Sequence, residues 1–211
     1  MRKLVANTFL SVDGIMQSPG GPTEDPSSGF TYGGWLPPYV DETFNQIVLD
    51  VHLRSEAVLF GRKSYQILAS HWPRVSNDDP FAAMLNSVPK YVASRTLQNV
   101  EWNNSTLLDG DAAAAVADLK RQPGGDILLI GSGDFAQTLL QHDLIDVFHL
   151  VVFPVLLGQG KRLFTDRTAP AGLTLTDVRT SATGVAFHTY ERAGDVPQGS
   201  HLLDDQTHID G

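Results

Sequence analysis

Short apolar runs alternate with amphipathic stretches along most of this chain, and the alternation stops near residue 147. Lys3–Leu10, Ala57–Phe60, Lys90–Ser94 and Asp126–Ile130 are brief, apolar and closed by glycine or polar residues. That is the pattern of strands buried on both faces. Val40, Phe44, Ile47, Val48 and Val51 recur at the spacing of one helical face. Pro37 and Pro38 precede that helix, and Asp41 and Glu42 fall in its first turn, where negative charge suits the dipole. Asp111–Arg121 is alanine-rich with cations at its end, and Phe135–Gln141 follows a Gly-Ser-Gly turn, so both read as helices. Beyond them, Val147–Val155, Leu173–Arg179 and Val185–Arg192 read as strands with no long helix between. The order predicts an α/β fold: a mostly parallel central sheet, helices on both faces, and an antiparallel C-terminal edge.

Composition narrows the class. The chain has 211 residues, 42% of them hydrophobic, enough for one well-filled core. One domain is expected over residues 1–193. Residues 194–211 hold four Asp and no Lys or Arg, and read as an acidic polar tail outside the fold. A net charge of −9 disfavours nucleic acid and anionic membranes as partners. No run approaches the roughly 20 apolar residues of a membrane span. Arg2 and Lys3 before an apolar stretch superficially resemble a signal peptide, but Asn7 and Asp13 interrupt that stretch. The absence of cysteine excludes disulfides, thiolate nucleophiles and Cys-ligated metals, and makes a reducing cytoplasm the simplest home. His52, His71, His142, His149 and His188 show no zinc-ligand spacing, and His201 and His208 fall in the tail, so no metal site is expected.

One stretch breaks the alternation. Residues 14–38 contain six Gly and five Pro in 25 positions, a density no regular element survives. Phe30, Tyr32 and Trp35 argue for a loop that folds over something. Those aromatics suit either stacking on a planar ligand or packing against the sheet.

Three turns that follow strands carry candidate chemistry. In Phe60-Gly61-Arg62-Lys63-Ser64-Tyr65, two adjacent cations open a helix. They oppose its dipole, so an anion site explains them better than a solvated basic turn. In Val92-Ala93-Ser94-Arg95-Thr96, two hydroxyls flank a guanidinium, suiting either an ordinary polar turn or a grip on a 2′-phosphate. In Ile130-Gly131-Ser132-Gly133-Asp134-Phe135-Ala136, a glycine turn joins a strand to a helix. The spacing formally satisfies G-x-G-x-x-A, but no strand-end acid stands about 20 residues on, so it is not a standard dinucleotide fingerprint. Asp134 is an awkward neighbour for an anion and reads as a helix cap. In a parallel sheet all three turns lie on one edge, where an extended ligand with several phosphates, such as a dinucleotide with an extra phosphate, fits. No G-x-S-x-G nucleophile elbow occurs.

These strings also carry a family resemblance. Gly61-Arg62-Lys63-Ser64-Tyr65 resembles the G-R-x-[ST]-[YW] signature of the dihydrofolate reductase superfamily. Phe9-Leu10-Ser11-Val12-Asp13-Gly14-Ile15 is similar to the first strand and loop of its riboflavin-biosynthesis reductase branch. Ile130-Gly131-Ser132-Gly133 matches the branch's second glycine turn, and Pro154 to Phe164 its late P-x-x-x-G-x-G-x-x-L-F segment. The matches stand in the family's order across residues 3–192.

The resemblance implies a three-layer dihydrofolate reductase-like fold, NADPH as cofactor, and a homodimer. It implies that Gly61, Arg62, Lys63 and Ser64 hold cofactor phosphates, and that Ser94, Arg95 and Thr96 take the adenosine 2′-phosphate. Gly131, Ser132, Gly133, Asp134 and Phe135 would wrap the pyrophosphate and nicotinamide side. Residues 11–17 would lie beside the nicotinamide, making Asp13 the first candidate to orient substrate or relay a proton. Asp41 and Asp50, at opposite edges of the helical stripe, are the other candidate acids. Asn7, Ser11, Tyr32 and Trp35 are the candidate substrate contacts. The expected activity is hydride transfer to a pterin-like or aminopyrimidine substrate. The branch's usual zinc deaminase domain is missing from this sequence, so another C=N or C=O substrate, or dimeric nucleotide binding without catalysis, stands as the alternative.

Overall fold

The computed structural model describes residues 1–200; the remainder of the expected tail, with His201 and His208, lies outside the described residues. Among those described, eight strands form one sheet. In chain order they are β1 (Leu4–Ser11), β2 (Ser55–Gly61), β3 (Lys90–Ala93), β4 (Ser105–Leu107), β5 (Asp126–Ile130), β6 (Val147–Phe153), β7 (Leu173–Thr180) and β8 (Ala186–Arg192). The helices are α1 (Glu42–Leu53), α2 (Arg62–Ala69), α3 (Pro80–Ser87), α4 (Ala112–Arg121) and α5 (Gly133–Gln141).

The sheet order is β4-β3-β2-β5-β1-β6-β8-β7. The first six positions in that order pair in parallel, and β6–β8 and β8–β7 are antiparallel. The predicted architecture therefore holds, antiparallel edge included. β1 lies at the centre and is apolar on both faces. Leu4, Ala6 and Leu10 pack with Val116 and Leu119 of α4 and Ala136 and Leu139 of α5. Val5, on the opposite side, meets Val51 of α1, and Phe9 joins an aromatic cluster with Phe44 and Phe153. A second apolar cluster under α2 and α3 gathers Phe60, Tyr65, Met84, Leu85 and Trp102. Burial on this scale, about 25 cal/mol per Å² of apolar surface, is the main force that holds helices to both faces.

Two elements escape the apolar pattern. α3 has eight residues, but Asp79 caps it by accepting from the amides of Phe81 and Ala82, and Pro80 stands at its first turn. β4 has three residues and pairs only with β3. At the C-terminal end of α3, the buried Lys90 donates from Nζ to the carbonyls of Leu85 (2.7 Å) and Val88 (2.8 Å), and its ammonium lies 4.9 Å from the Trp102 ring centre. β6 stops at Phe153, two residues before the expected end, because Pro154 has no amide to donate to a ladder. The edge strand β7 is exposed along its length, Leu173, Leu175 and Val178 included. Gly194 stays attached to it, since the Gly172 amide donates to the Gly194 carbonyl at 2.8 Å.

Candidate functional site

β3, β2 and β5 are neighbours running the same way, so the turns after them lie along one sheet edge; Gly61 pairs with Ala93, and Leu59 with Leu129. Two of the turns are joined directly. The Gly61 amide donates to Oγ of Ser132 at 2.7 Å, and that hydroxyl donates to Oγ of Ser64 at 2.8 Å. Ser132 is held in left-handed backbone, φ 65°, to make both bonds. The glycines make room for this pair. A Cβ on Gly131, itself at φ +61°, would fall 2.9 Å from Ser64 Oγ, and one on Gly61 would fall 2.9 Å from Ser132 Oγ.

The helices that start here differ from the others. Asp41, Asp79 and Asp111 cap α1, α3 and α4 with their carboxylates. Neither α2 nor α5 carries a side-chain cap, so the first-turn amides of both face the sheet edge. Asp134 does not cap α5 as expected; it sits within the first turn, where it favours the dipole. Arg62 and Lys63 are exposed on α2, and Arg62 donates to Gln66 Oε1 at 3.1 Å. After β3, Ser94 Oγ accepts from the amides of Thr96 (3.2 Å) and Leu97 (2.9 Å), which shapes the turn and leaves Arg95 exposed.

The end of β1 is built together with the late glycine segment. Val12 donates to the Val155 carbonyl (3.0 Å), Met16 donates to that of Lys161 (2.8 Å), and Ile15 bridges Arg162. Gly160 allows this closeness, since a Cβ there would meet Ile15 Cγ2 at 2.7 Å. Asp13 is the clasp. It accepts from Ser11 Oγ (2.7 Å) and from the amides of Leu157 (3.1 Å) and Gly158 (2.8 Å). The Ser11 hydroxyl and those amides hold its carboxyl down to about 2, against the effect of burial. These bonds fasten the turn after β1 to residues 157 and 158, so in this structure the carboxylate of Asp13 serves as a clasp.

The remaining candidates divide. Ser11 is buried, with its hydroxyl donating to Asp13 and accepting from the Ile15 amide, so it is not a free substrate contact. Trp35 is buried too. Nε1 donates to the Gln17 carbonyl (2.8 Å), and the ring stands edge-on to Phe153 at 5.2 Å, so it packs on the sheet instead of stacking on a ligand. Tyr32 is exposed beside Phe30. Asp41 has both oxygens engaged, by the amides of Phe44 (2.6 Å) and Thr183 (3.2 Å), so it ties α1 to the turn between β7 and β8. Asp50 accepts from Gln46 Nε2 (2.8 Å) along the outer face of α1. Asn7 is buried on β1, in register with Ile130 and His149. It lines a small cavity with His149, whose Nδ1 shares a hydrogen bond with Thr189 Oγ1 (2.9 Å). Burial, aided by Arg179 and Arg54, holds His149 down to about 4.

The glycine- and proline-rich segment is an ordered strap. Gln17 Nε2 donates to the carbonyls of Asp25 and Ser27 (2.9 Å each), and its Oε1 accepts from the Lys161 amide (3.0 Å). Glu24 accepts from the amides of Gly20 (2.6 Å) and Gly21 (3.1 Å). Asp25 pairs with Lys161 and, at 3.5 Å, with Lys63. Gln17, Asp25 and Lys161 were not among the sequence candidates. Lys161 lies within the late glycine segment, but nothing in the sequence joins it to Asp25, 136 residues away.

The chain is similar in sequence and in fold to several known proteins. The model of the RibD C-terminal domain matches residues 2–188. Two uncharacterised proteins of Bacillus subtilis strain 168 are similar over nearly their whole length. YyaP is 29% identical over 92% of this chain and 96% of its own, and YwjB 26% identical over 91% and 99%. Among crystal structures, a Shewanella sp. PV-4 protein assigned provisionally to riboflavin biosynthesis superposes with a TM-score of 0.65 at 24% identity, covering 90% of this chain and 99% of that one. A pyrimidine reductase-like protein from Corynebacterium diphtheriae gives 0.59 at 13% identity, covering 92% and 93%. The diaminohydroxyphosphoribosylaminopyrimidine deaminase/5-amino-6-(5-phosphoribosylamino)uracil reductase of Thermotoga maritima gives 0.60 at 12% identity, covering 91% of this chain and 57% of that longer one.

Proposed function

Because the chain belongs to the RibD C-terminal domain family, we propose that it is an NADPH-dependent reductase of a pterin-like or aminopyrimidine substrate. One observation carries the cofactor. The two helices that open at the glycine turns, α2 and α5, lack side-chain caps, while α1, α3 and α4 have them. Uncapped amide donors with Arg62, Lys63 and Arg95 nearby form a donor set that fits a ligand with several phosphates. The α2 and α5 amides, Arg62, Lys63 and the Ser64 hydroxyl would hold the pyrophosphate. Ser94, Arg95 and Thr96 would hold the 2′-phosphate that separates NADPH from NADH. When bound, the cofactor supplies the hydride. Asp13 keeps the turn after β1 against residues 155–163, and the strap excludes water from that side. Exposed Leu173, Leu175 and Val178 on β7 support a homodimer. Among the described residues no helix is long and apolar enough to cross a membrane, and with the absence of cysteine this supports a cytoplasmic location.

A calorimetric titration tests the reading. NADPH should bind well and NADH much more weakly, and Arg95→Ala should remove most of the difference. Binding of neither would sink the reductase reading. A second reading, nucleotide binding without turnover, draws on Asp13 and Asp41, whose carboxylates are taken up by structural bonds. NADPH that binds but is not oxidised across a panel of pterins, aminopyrimidines, imines and ketones would select it.

A further inference from the structure

Asp25 sets one carboxylate between two lysines of separate origin. Oδ1 lies 3.5 Å from Nζ of Lys63, in the first turn of α2, and Oδ2 accepts from Nζ of Lys161, in the late glycine segment. Oδ1 also accepts from the Ser27 hydroxyl (2.6 Å) and amide (3.3 Å). The Asp25 side chain is 16% exposed, against 52% for Lys63 and 40% for Lys161. The two legs are unequal. The Lys161 leg is backed by Gln17, whose Nε2 donates to the Asp25 carbonyl and whose Oε1 accepts from the Lys161 amide, and Ser27 holds the carboxylate through Oδ1. The Lys63 leg is longer and ends on an exposed ammonium, the kind of pair that contributes little to stability.

We propose that Asp25 sets the affinity of the phosphate site: it is an internal anion that competes with the ligand's phosphate for Lys63. The inference rests on the reading of the α2–α5 edge as a phosphate site. A phosphate arriving at Lys63 meets a carboxylate at ion-pair distance, and the like charges repel. Lys161 and Ser27 keep Asp25 in place, so the strap stays fastened while Lys63 changes partner. Breaking the Lys63–Asp25 pair is a cost common to every phosphate that takes Lys63, and the carboxylate left in place repels it further. Asp25 therefore lowers the affinity of the site for phosphate ligands.

The test is a low-salt titration of wild-type protein, Asp25→Asn, Lys63→Ala, their double variant and Lys161→Met with NADPH and with inorganic pyrophosphate. Asp25→Asn should bind both about two- to fivefold more tightly, the scale of an exposed ion pair. The gain should vanish in the Lys63→Ala background, and Lys161→Met should not reproduce it. Unchanged or weaker binding by Asp25→Asn, with an unchanged melting temperature, overturns the proposal. So does a gain that survives Lys63→Ala, or one that Lys161→Met matches, since that would trace it to a loosened strap. If wild-type protein binds NADPH and only the Asp25 effect is missing, the cofactor reading stands and this one falls. Binding of neither probe by any variant overturns both.

Discussion

The clasp at the end of β1 and the cradle at the ends of β2 and β5 are both glycine turns after buried strands, yet they treat their polar groups in opposite ways. At the clasp, the Ser11 hydroxyl and the Leu157 and Gly158 amides meet Asp13, and Trp35 Nε1 meets the Gln17 carbonyl. At the cradle, helices α2 and α5 begin uncapped, and Arg62 and Lys63 are exposed. A turn that completes its own hydrogen bonds holds the fold. A turn that leaves its donors outward is built for a partner.

The largest expected effect separates the two by stability. Trp35→Ala removes a buried ring from the cluster around Phe153 and should cost about 3–5 kcal/mol in urea unfolding, as aromatic truncations in cores do. NADPH affinity of the folded fraction should stay within about twofold if the ring only packs; a large loss would bring Trp35 back to the site. Arg62→Ala should do the reverse. NADPH binding should weaken by about 1–3 kcal/mol, the range of a charge-assisted bond, with stability within about 0.5 kcal/mol of wild type. Unchanged affinity would remove Arg62 from the cradle.

Asp13→Asn is next in size. The substitution weakens bonds to two amides and a hydroxyl and should cost about 1–3 kcal/mol. It also carries a pH signature. The folded carboxyl titrates near 2, against 3.8 for the ordinary value, so the folded state binds fewer protons between those values. Its contribution is complete above about pH 4 and is lost as pH falls towards 2. Asp25 is held near 2 by Lys161 and Ser27 against burial, and adds in the same direction. Acid unfolding of Asp13→Asn should therefore be shallower than that of wild type between pH 4 and 2, and parallel curves would refute the clasp.

The clasp and the cradle were unequally legible in the sequence. Periodicity located β1, β5 and α1 within a residue or two, because each is long or apolar enough for burial to dominate its pattern. α3 was missed although Asp79 and Pro80 marked its start, since eight residues present little more than two turns of pattern. β4, with three residues, exists through its pairing with β3. At the site, glycine spacing identified the turns, because backbone needs are local. Leu157 lies 144 residues from Asp13 and Lys161 lies 136 from Asp25, and contacts at that separation follow from tertiary packing. For the same reason the aromatic content of residues 14–38 indicated a folded loop without saying whether Trp35 faced ligand or sheet.

The smallest expected effect lies on the seam between folding and binding, at Ser132. Its left-handed backbone costs about 1 kcal/mol for a residue with a Cβ and nearly nothing for glycine. Its hydroxyl takes the Gly61 amide and donates to Ser64, so the hydrogen of Ser64 is free to point at a ligand oxygen. Ser132→Ala keeps the strain and loses both bonds, and should destabilise by about 1–2 kcal/mol. Ser132→Gly loses the same bonds but relieves the strain, so its stability should lie about 1 kcal/mol above that of the alanine variant. If the hydroxyl serves the cradle, both variants should weaken NADPH binding by the same small factor despite their different stabilities. Binding losses that instead follow stability would make Ser132 a fold residue, and would move the α5 turn from the binding side of the comparison to the clasp side.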